Sequence, residues 1–204
     1  MYFALHNRPL GTPRGAPLFE LAATKFILIY SMLTSFDSLP DSSRIWIFPA
    51  DRTLSSSESN ELLASVDSYL QGWKAHGAPV QAARDLRYNQ FLIIAADPEI
   101  TAPSGCSIDD LTRSIKALSA KFGIDFFGAM KVFYRMGEQI RVVDRPQFKS
   151  LANMGEVDGE TTVFNNALTA LKDIREGKWE LPASQSWHGQ LVGITGIEPV
   201  TSRM

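Results

Sequence analysis

Cysteine is nearly missing from this chain: Cys106 stands alone among 204 residues. No intramolecular disulfide can form, and no Cys/His cluster has the spacing of a zinc site, so neither a disulfide scaffold nor a resident metal is expected. A long uninterrupted apolar run is also missing. The most apolar stretch, Leu18 to Leu33, is broken by Glu20 and Lys25 and has no small-residue cleavage site behind it, which argues against both a membrane span and a signal peptide. Charge of one sign is not in excess. Twenty basic residues meet 22 acidic ones for a net charge of −2, so there is no basic field of the kind nucleic-acid binding draws on. Neither a Gly-x-x-x-x-Gly-Lys-[Ser/Thr] loop nor a Gly-x-Gly-x-x-Gly fingerprint occurs, which leaves ATP phosphates and dinucleotides without their usual cradles, and no cofactor is expected.

What remains is an ordinary globular composition, 45% hydrophobic and 21% charged. With one thiol and no export signal, the expected compartment is the reducing cytoplasm.

Both ends read as foreign to the domain. Residues 1–31 hold Pro9, Pro13, Pro17, Gly11 and Gly15 and then an uncapped hydrophobic run, so Met32 is the expected start of the working domain. Gly196-Ile-Glu-Pro-Val-Thr-Ser-Arg-Met204 resembles the translation of the complementary strand of a transfer-RNA gene, and residues 192–204 are expected to be a disordered or read-through tail; a natural flexible terminus is the alternative. Residues 32–191 then carry 16 basic and 20 acidic side chains. Their length suffices for a full core without staples.

Arg44 to Phe48 reads as a strand stopped by Pro49. Ser55 and Glu58 form a capping box ahead of a stripe at Leu62, Leu63, Val66, Leu70 and Trp73, a helix expected to end at Gly77 and Pro79. Val80 to Tyr88 alternates as a half-buried strand, and Phe91 to Ala96, apolar on both faces, should be central to a sheet. Ile108, Leu111, Ile115, Leu118 and Phe122 make a second amphipathic helix closed by Gly123. Lys131 to Arg135 and Gln139 to Val143 read as a hairpin.

The order predicts an α+β fold: a ferredoxin-like split βαββαβ sandwich over residues 32–144 with one extra hairpin strand. Residues 145–191 are expected to be a C-terminal α-helical appendage. It comprises a short helix after Pro146, another over the stripe Phe164, Leu168, Leu171 and Ile174, and a final segment fastened by Trp179 and Trp187.

Chemistry is most readily sought at Ser104-Gly-Cys-Ser-Ile-Asp109. It sets a lone thiol in the first turn of a helix, where unpaired amides favour negative charge and Asp109 and Asp110 oppose it. A nucleophile there would need a base. His76 is the only histidine between Met32 and the C-terminal segment, and Asp97 could orient it, giving a Cys106, His76 and Asp97 triad. The bland alternatives are a Ser107/Asp110 capping box around a buried Cys106, and a His76 that only serves a helix C-terminus. The same loop, through Ser104, Gly105, Ser107 and Asp109, could instead hold an anion without catalysis. Asn165 and Asn166, two weak helix formers at the start of the last expected helix, offer amides to a ligand or simply cap it. Asp125-Phe126-Phe127 is expected to turn the chain and tuck its rings into the core.

Taken jointly, Arg44-Ile-Trp-Ile-Phe-Pro-Ala-Asp-Arg52, Trp73-x-x-His-Gly77, Ser104-Gly-Cys-Ser-Ile-Asp109, Gly123-Ile-Asp-Phe-Phe127, Val163-Phe-Asn-Asn166 and Ser186-Trp187 resemble a bacterial family that carries the label "ABC transporter ATPase", over about Met32 to Leu191. The resemblance implies no catalytic residue, and the label conflicts with the missing Walker loop. The favoured expectation is a cytoplasmic binding protein for a small molecule or protein partner, with no nucleic acid and no membrane and with self-association open. Its site would be the groove between the Cys106 loop and Asn165-Asn166; the rival is a thiol enzyme or redox sensor.

Overall fold

A computed structural model describes residues 33–128 and 130–193. The expected foreign extension over residues 1–31 lies outside them; of the expected tail over 192–204, Val192 ends a 3-10 segment that Gly193 caps, and residues 194–204 lie outside the described residues.

Strand β5, Phe91–Ala96, organises the fold because all six of its side chains are buried. It pairs antiparallel with β1, Arg44–Pro49, on one side and with β4, Ala82–Arg87, on the other. The sheet order is β1-β5-β4. A strand between two neighbours has no edge to leave wet, which is why it tolerates no polar residue on either face.

Alternate residues of β5 enter different cores, as the two-residue strand period requires. Leu92, Ile94 and Ala96 face two helices, α1 (Ser56–Gly72) and α3 (Gly105–Phe122), and pack with Leu62, Val66, Leu70, Leu111 and Ile115. The capping box that begins α1 is present: Glu58 N–H donates to Ser55 Oγ at 3.3 Å and Ser55 N–H donates to Glu58 Oε2 at 2.8 Å. Gly123, at φ 62°, closes α3 in the left-handed conformation that glycine adopts without a Cβ clash.

Phe91, Ile93 and Ala95 face the other way, toward a second sheet. That sheet has the order β7-β6-β8-β9, formed by β6 (Lys131–Met136), β7 (Gln139–Asp144), β8 (Thr162–Phe164) and β9 (Glu180–Pro182). Phe133 and Phe164 meet β5, while Val132, Tyr134 and Val163 turn outward onto α4 (Arg145–Asn153) and the closing 3-10 turns, Trp187–Val192. Three cores therefore separate four layers: helices, sheet, sheet, helix with turns.

The α+β class agrees with the sequence, but the strands divide between two larger sheets and a two-stranded hairpin instead of sharing one sheet. The order β1-β5-β4 has the helix α1 crossing between β1 and β4. At the free side of β1 an isolated bridge joins Arg44 to Ala170, with Ile45 N–H donating to Thr169 and Leu171 N–H donating to Ser43, both at 2.9 Å. With that side occupied, β6 and β7 pair with each other and β6 with β8.

Three local expectations are also corrected. Helix α1 ends at Gly72, and the chain then makes a small hairpin, β2 (Lys74–Ala75) with β3 (Ala78–Pro79). His76 and Gly77, at φ 51° and 81°, form the left-handed pair that a two-residue hairpin turn needs. The C-terminal region is not purely helical, because it supplies β8 and β9. Its last helix, α5, shrinks to Leu171–Arg175, since Phe164 is a strand residue and Asn165 N–H donates to the Trp179 carbonyl at 2.7 Å.

Candidate functional site

The residues singled out around Cys106 are laid out as follows. Ser104, not Ser107, caps α3: its Oγ accepts from Ser107 N–H at 3.3 Å, and Ser107 is buried with its hydroxyl donating back to the Ser104 carbonyl at 2.9 Å. The Ser107/Asp110 box is thus displaced by three residues, because Gly105 and Cys106 already belong to the helix. Cys106 is exposed, not packed away. His76 is exposed at the tip of the β2–β3 hairpin, and no helix ends there. Asp97 is buried and caps the short helix α2, Pro98–Thr101, by accepting from Glu99 N–H at 2.9 Å. No hydrogen bond joins Cys106, His76 and Asp97 among the described residues, and the carboxylate that would orient a base already serves a cap. Asp109, in the first turns of α3, is exposed.

Asn165 and Asn166 do not begin a helix; they form the turn after β8. Asn165 is buried, and its Oδ1 accepts from Ala167 N–H at 3.4 Å. The Trp179 indole N–H donates to Asn166 Oδ1 at 3.1 Å. An indole can only donate, so this bond fixes the amide with its oxygen toward Trp179 and its NH2 turned elsewhere.

Asn166 borders a cleft of about 570 Å³, within the range of roughly 300–1,000 Å³ that small-molecule sites occupy. Cys106, Ser104, Gly105, Ser107 and Asp109 are not among the residues around it; neither are His76 and Asp97. The cleft opens where the end of β1, the start of β6, the start of α4, the turn after β8 and the closing 3-10 segment converge.

Its walls are largely aromatic, from Phe48, Phe126, Phe127, Phe164 and Trp187. Phe48 and Phe127 meet edge to face at 5.8 Å. The chain is bent to present Phe127 by Asp125, whose Oδ1 accepts from Phe127 N–H at 2.8 Å, while Asp51 Oδ1 accepts from Asp125 N–H at 3.1 Å. Of the expected core pair, Phe126 is sealed and Phe127 is only partly covered.

Two cations border the cleft. The register that sets Lys131 opposite Asp144 places Arg145, the next residue and the first of α4, at the same end of the β6–β7 hairpin. Lys131 Nζ lies 3.3 Å from Asp125 and 3.9 Å from Asp51. The bond from Phe127 N–H, followed by Lys131, holds the Asp125 carboxyl below its ordinary range. Gly128 gives the Lys131 stem its room: a Cβ there would come within 2.8 Å of Lys131 Cδ.

Arg145 is different. Among the described residues it has no carboxylate within ion-pair distance. Its guanidinium lies over the Trp187 ring, with Cζ 4.6 Å from the centroid, and its Nε is buried without a hydrogen-bond partner. Behind it His188 is buried, with Nδ1 2.8 Å from Ser186 Oγ. Burial, then the charge of Arg145, lowers the His188 pKa to about 3, so the imidazole is neutral at neutral pH. The Ser186 hydroxyl and His188 are sealed in, which makes them a brace for Trp187 and not a reactive pair.

Sequence reasoning missed Arg145 and Lys131. Phe126-Phe127 and Ser186-Trp187 were the available signals, but nothing local in Asp144-Arg-Pro146 announces a guanidinium without an acid. Comparison with family models, with curated proteins and with solved structures gives no match.

Proposed function

We propose that this is a ligand-binding protein without turnover, whose site is the cleft bordered by Arg145, Lys131, Asn166 and the aromatic walls. The observation that carries the reading is the Arg145 guanidinium, left without an acid at the edge of an apolar cleft. A charge so placed is costly unless something answers it, and an anionic small molecule does so. The aromatic surface supplies affinity and the few polar groups supply orientation. The site moves from the Cys106 turn to this cleft because the proposed catalytic groups lack mutual hydrogen bonds and Asp97 is committed to a cap.

The cytoplasm is the compartment we propose, supported by a single exposed thiol. Among the described residues no helix is long and apolar enough to cross a membrane. We also read the first sheet as a split-βαβ unit of the ferredoxin-like kind. Its β1-β5-β4 order and α1 crossover support that reading, with the Ala170 bridge standing where a fourth strand would pair.

The test is native mass spectrometry of the full chain purified without denaturant, alongside Ala167→Trp, which puts a large ring at the exposed rim of the cleft. A small-molecule mass retained by the native chain and lost in the variant, with the ligand-stripped native chain and the variant melting at the same temperature, is the expected result. No retained mass, together with no thermal shift from any class of metabolite, overturns the reading.

A further inference from the structure

The charges around the cleft narrow what it can hold, on the premise that it is a ligand site at all. Lys131 already faces two carboxylates, at 3.3 and 3.9 Å, so its charge is answered within the protein. Neutral His188 adds none. Of the two cations bordering the cleft, Arg145 is the one with no carboxylate within ion-pair distance among the described residues, so it is the group left to meet a ligand's charge. A phosphate monoester, close to two negative charges at neutral pH, would bring more charge than the cleft can balance and would face the Asp125 and Asp51 carboxylates near Lys131. A carboxylate brings one.

The geometry of Arg145 points the same way. Its flat guanidinium is set on Trp187, and Nε is covered, so the terminal Nη1/Nη2 pair is what remains to be offered. That fork matches the two oxygens of a carboxylate. Asn166 adds amide donors, because its oxygen is held by Trp179. Of the phenyl groups around it only Phe127 is partly open, with Phe48, Phe126 and Phe164 nearly sealed behind it, which gives a flat apolar body one ring to pack on and an apolar floor.

We infer that the cleft takes an aromatic monocarboxylate, its acid group on the Arg145 fork and its ring packed on Phe127. The site binds the acid as it is; no bond is made or broken.

Three probes that share one phenyl ring test this by calorimetry and thermal shift on the full chain: benzoate, its neutral primary amide, and phenyl phosphate. The carboxylate is expected to bind at least ten-fold more tightly than either of the others, and its affinity should weaken with added salt while that of the amide does not. Arg145→Met should bring the carboxylate down to the level of the amide; Arg145→Lys, which keeps the charge and loses the fork, should fall between and guards against a variant that fails to fold. Equal binding of acid and amide, or tighter binding of the phosphate, overturns the monocarboxylate assignment and leaves the cleft standing as a ligand site. Failure of all three probes on the native chain, with no retained small molecule in the mass spectra, overturns both.

Discussion

The two faces of β5 lead into unlike halves. On the helical side the core is mostly aliphatic, built from Leu62, Val66, Leu70, Leu111, Ile115, Leu92 and Ile94, with Phe48, Trp73 and Phe126 among them. On the other side Phe91 stacks with Phe164 at 4.7 Å and meets Trp179 and Phe133 edge-on at 5.1 and 5.3 Å. Beyond that aromatic cluster the polar content rises. Arg135 pairs with Glu180, which also accepts from the Tyr88 hydroxyl at 2.7 Å. Burial would raise the Glu180 pKa, yet these two bonds outweigh it and hold the carboxyl below its usual range. His188 and Arg145 lie further out. The first half is made of contacts that any well-packed fold needs. The second carries groups whose charge or burial is costly, and it supplies Arg145, Asn166 and Trp187 to the cleft. The helical side supplies Phe48, Phe126 and Phe127, so polar recognition and apolar wall come from opposite sides of one strand.

The sharpest test of this contrast is to remove the ring at the centre of the aromatic half. Phe91→Ala should cost about 3–5 kcal/mol, read by denaturant unfolding; a cost near 1 kcal/mol would mean the aromatic core repacks freely and the halves are less distinct than they look.

Acid should separate the halves next. His188 has its folded pKa near 3 against an unfolded value of about 6.5. The unfolded chain therefore binds the extra proton first: the contribution is complete above about pH 6.5 and is lost as pH falls toward 3, at no more than about 1.4 kcal/mol per pH unit. Glu58, lowered to about 2 chiefly by its bond to Arg52, works in the same direction at lower pH, on the helical side. Melting curves from pH 7 to 4 should steepen for the native chain and flatten for His188→Gln. Equal slopes would remove His188 from the account.

Smaller effects test the helical half. Ser55→Ala removes the acceptor for Glu58 N–H and should cost about 1 kcal/mol without altering probe binding in the cleft. Smallest of all, His76→Asn puts an Asn-Gly pair into the β2–β3 turn, where both residues are left-handed. It should be stabilising by a few tenths of a kcal/mol, and the reactivity of Cys106 toward an alkylating agent should not change. A large change would restore His76 as a partner of that thiol.

The same contrast explains what could be read in advance. The helical half is written in short-range terms: Ser55 and Glu58 three apart, leucines at three and four, Gly123 at a helix end, an unbroken apolar run for β5. Each matches a local period, and each is found. The second half is written in long-range pairs. Nothing near Phe164 says that Asn165 will bond across to Trp179 or that Ala170 will lie beside Arg44. A helical stripe was therefore expected where strand and turn occur. The cleft shares that fate, since its walls come from five separate stretches; of the candidate site residues only Asn166 borders it, although the sequence marks Phe126, Phe127, Phe164 and Trp187 as packing residues. The hairpin at His76-Gly77 was missed for a different reason: Gly77 fits a helix end as well as a left-handed turn, and the two-residue strands beside it are too short to show a period.

The bridge at Ala170 has a consequence for synthesis on the ribosome. Until residues 169–171 have emerged, β1 has donors and acceptors turned to water along one margin. A nascent or truncated chain stopping before Ala170 would carry an open strand able to recruit another copy of itself, so residues 169–171 act as a seal that the growing polypeptide applies only after both sheets' hairpins are made.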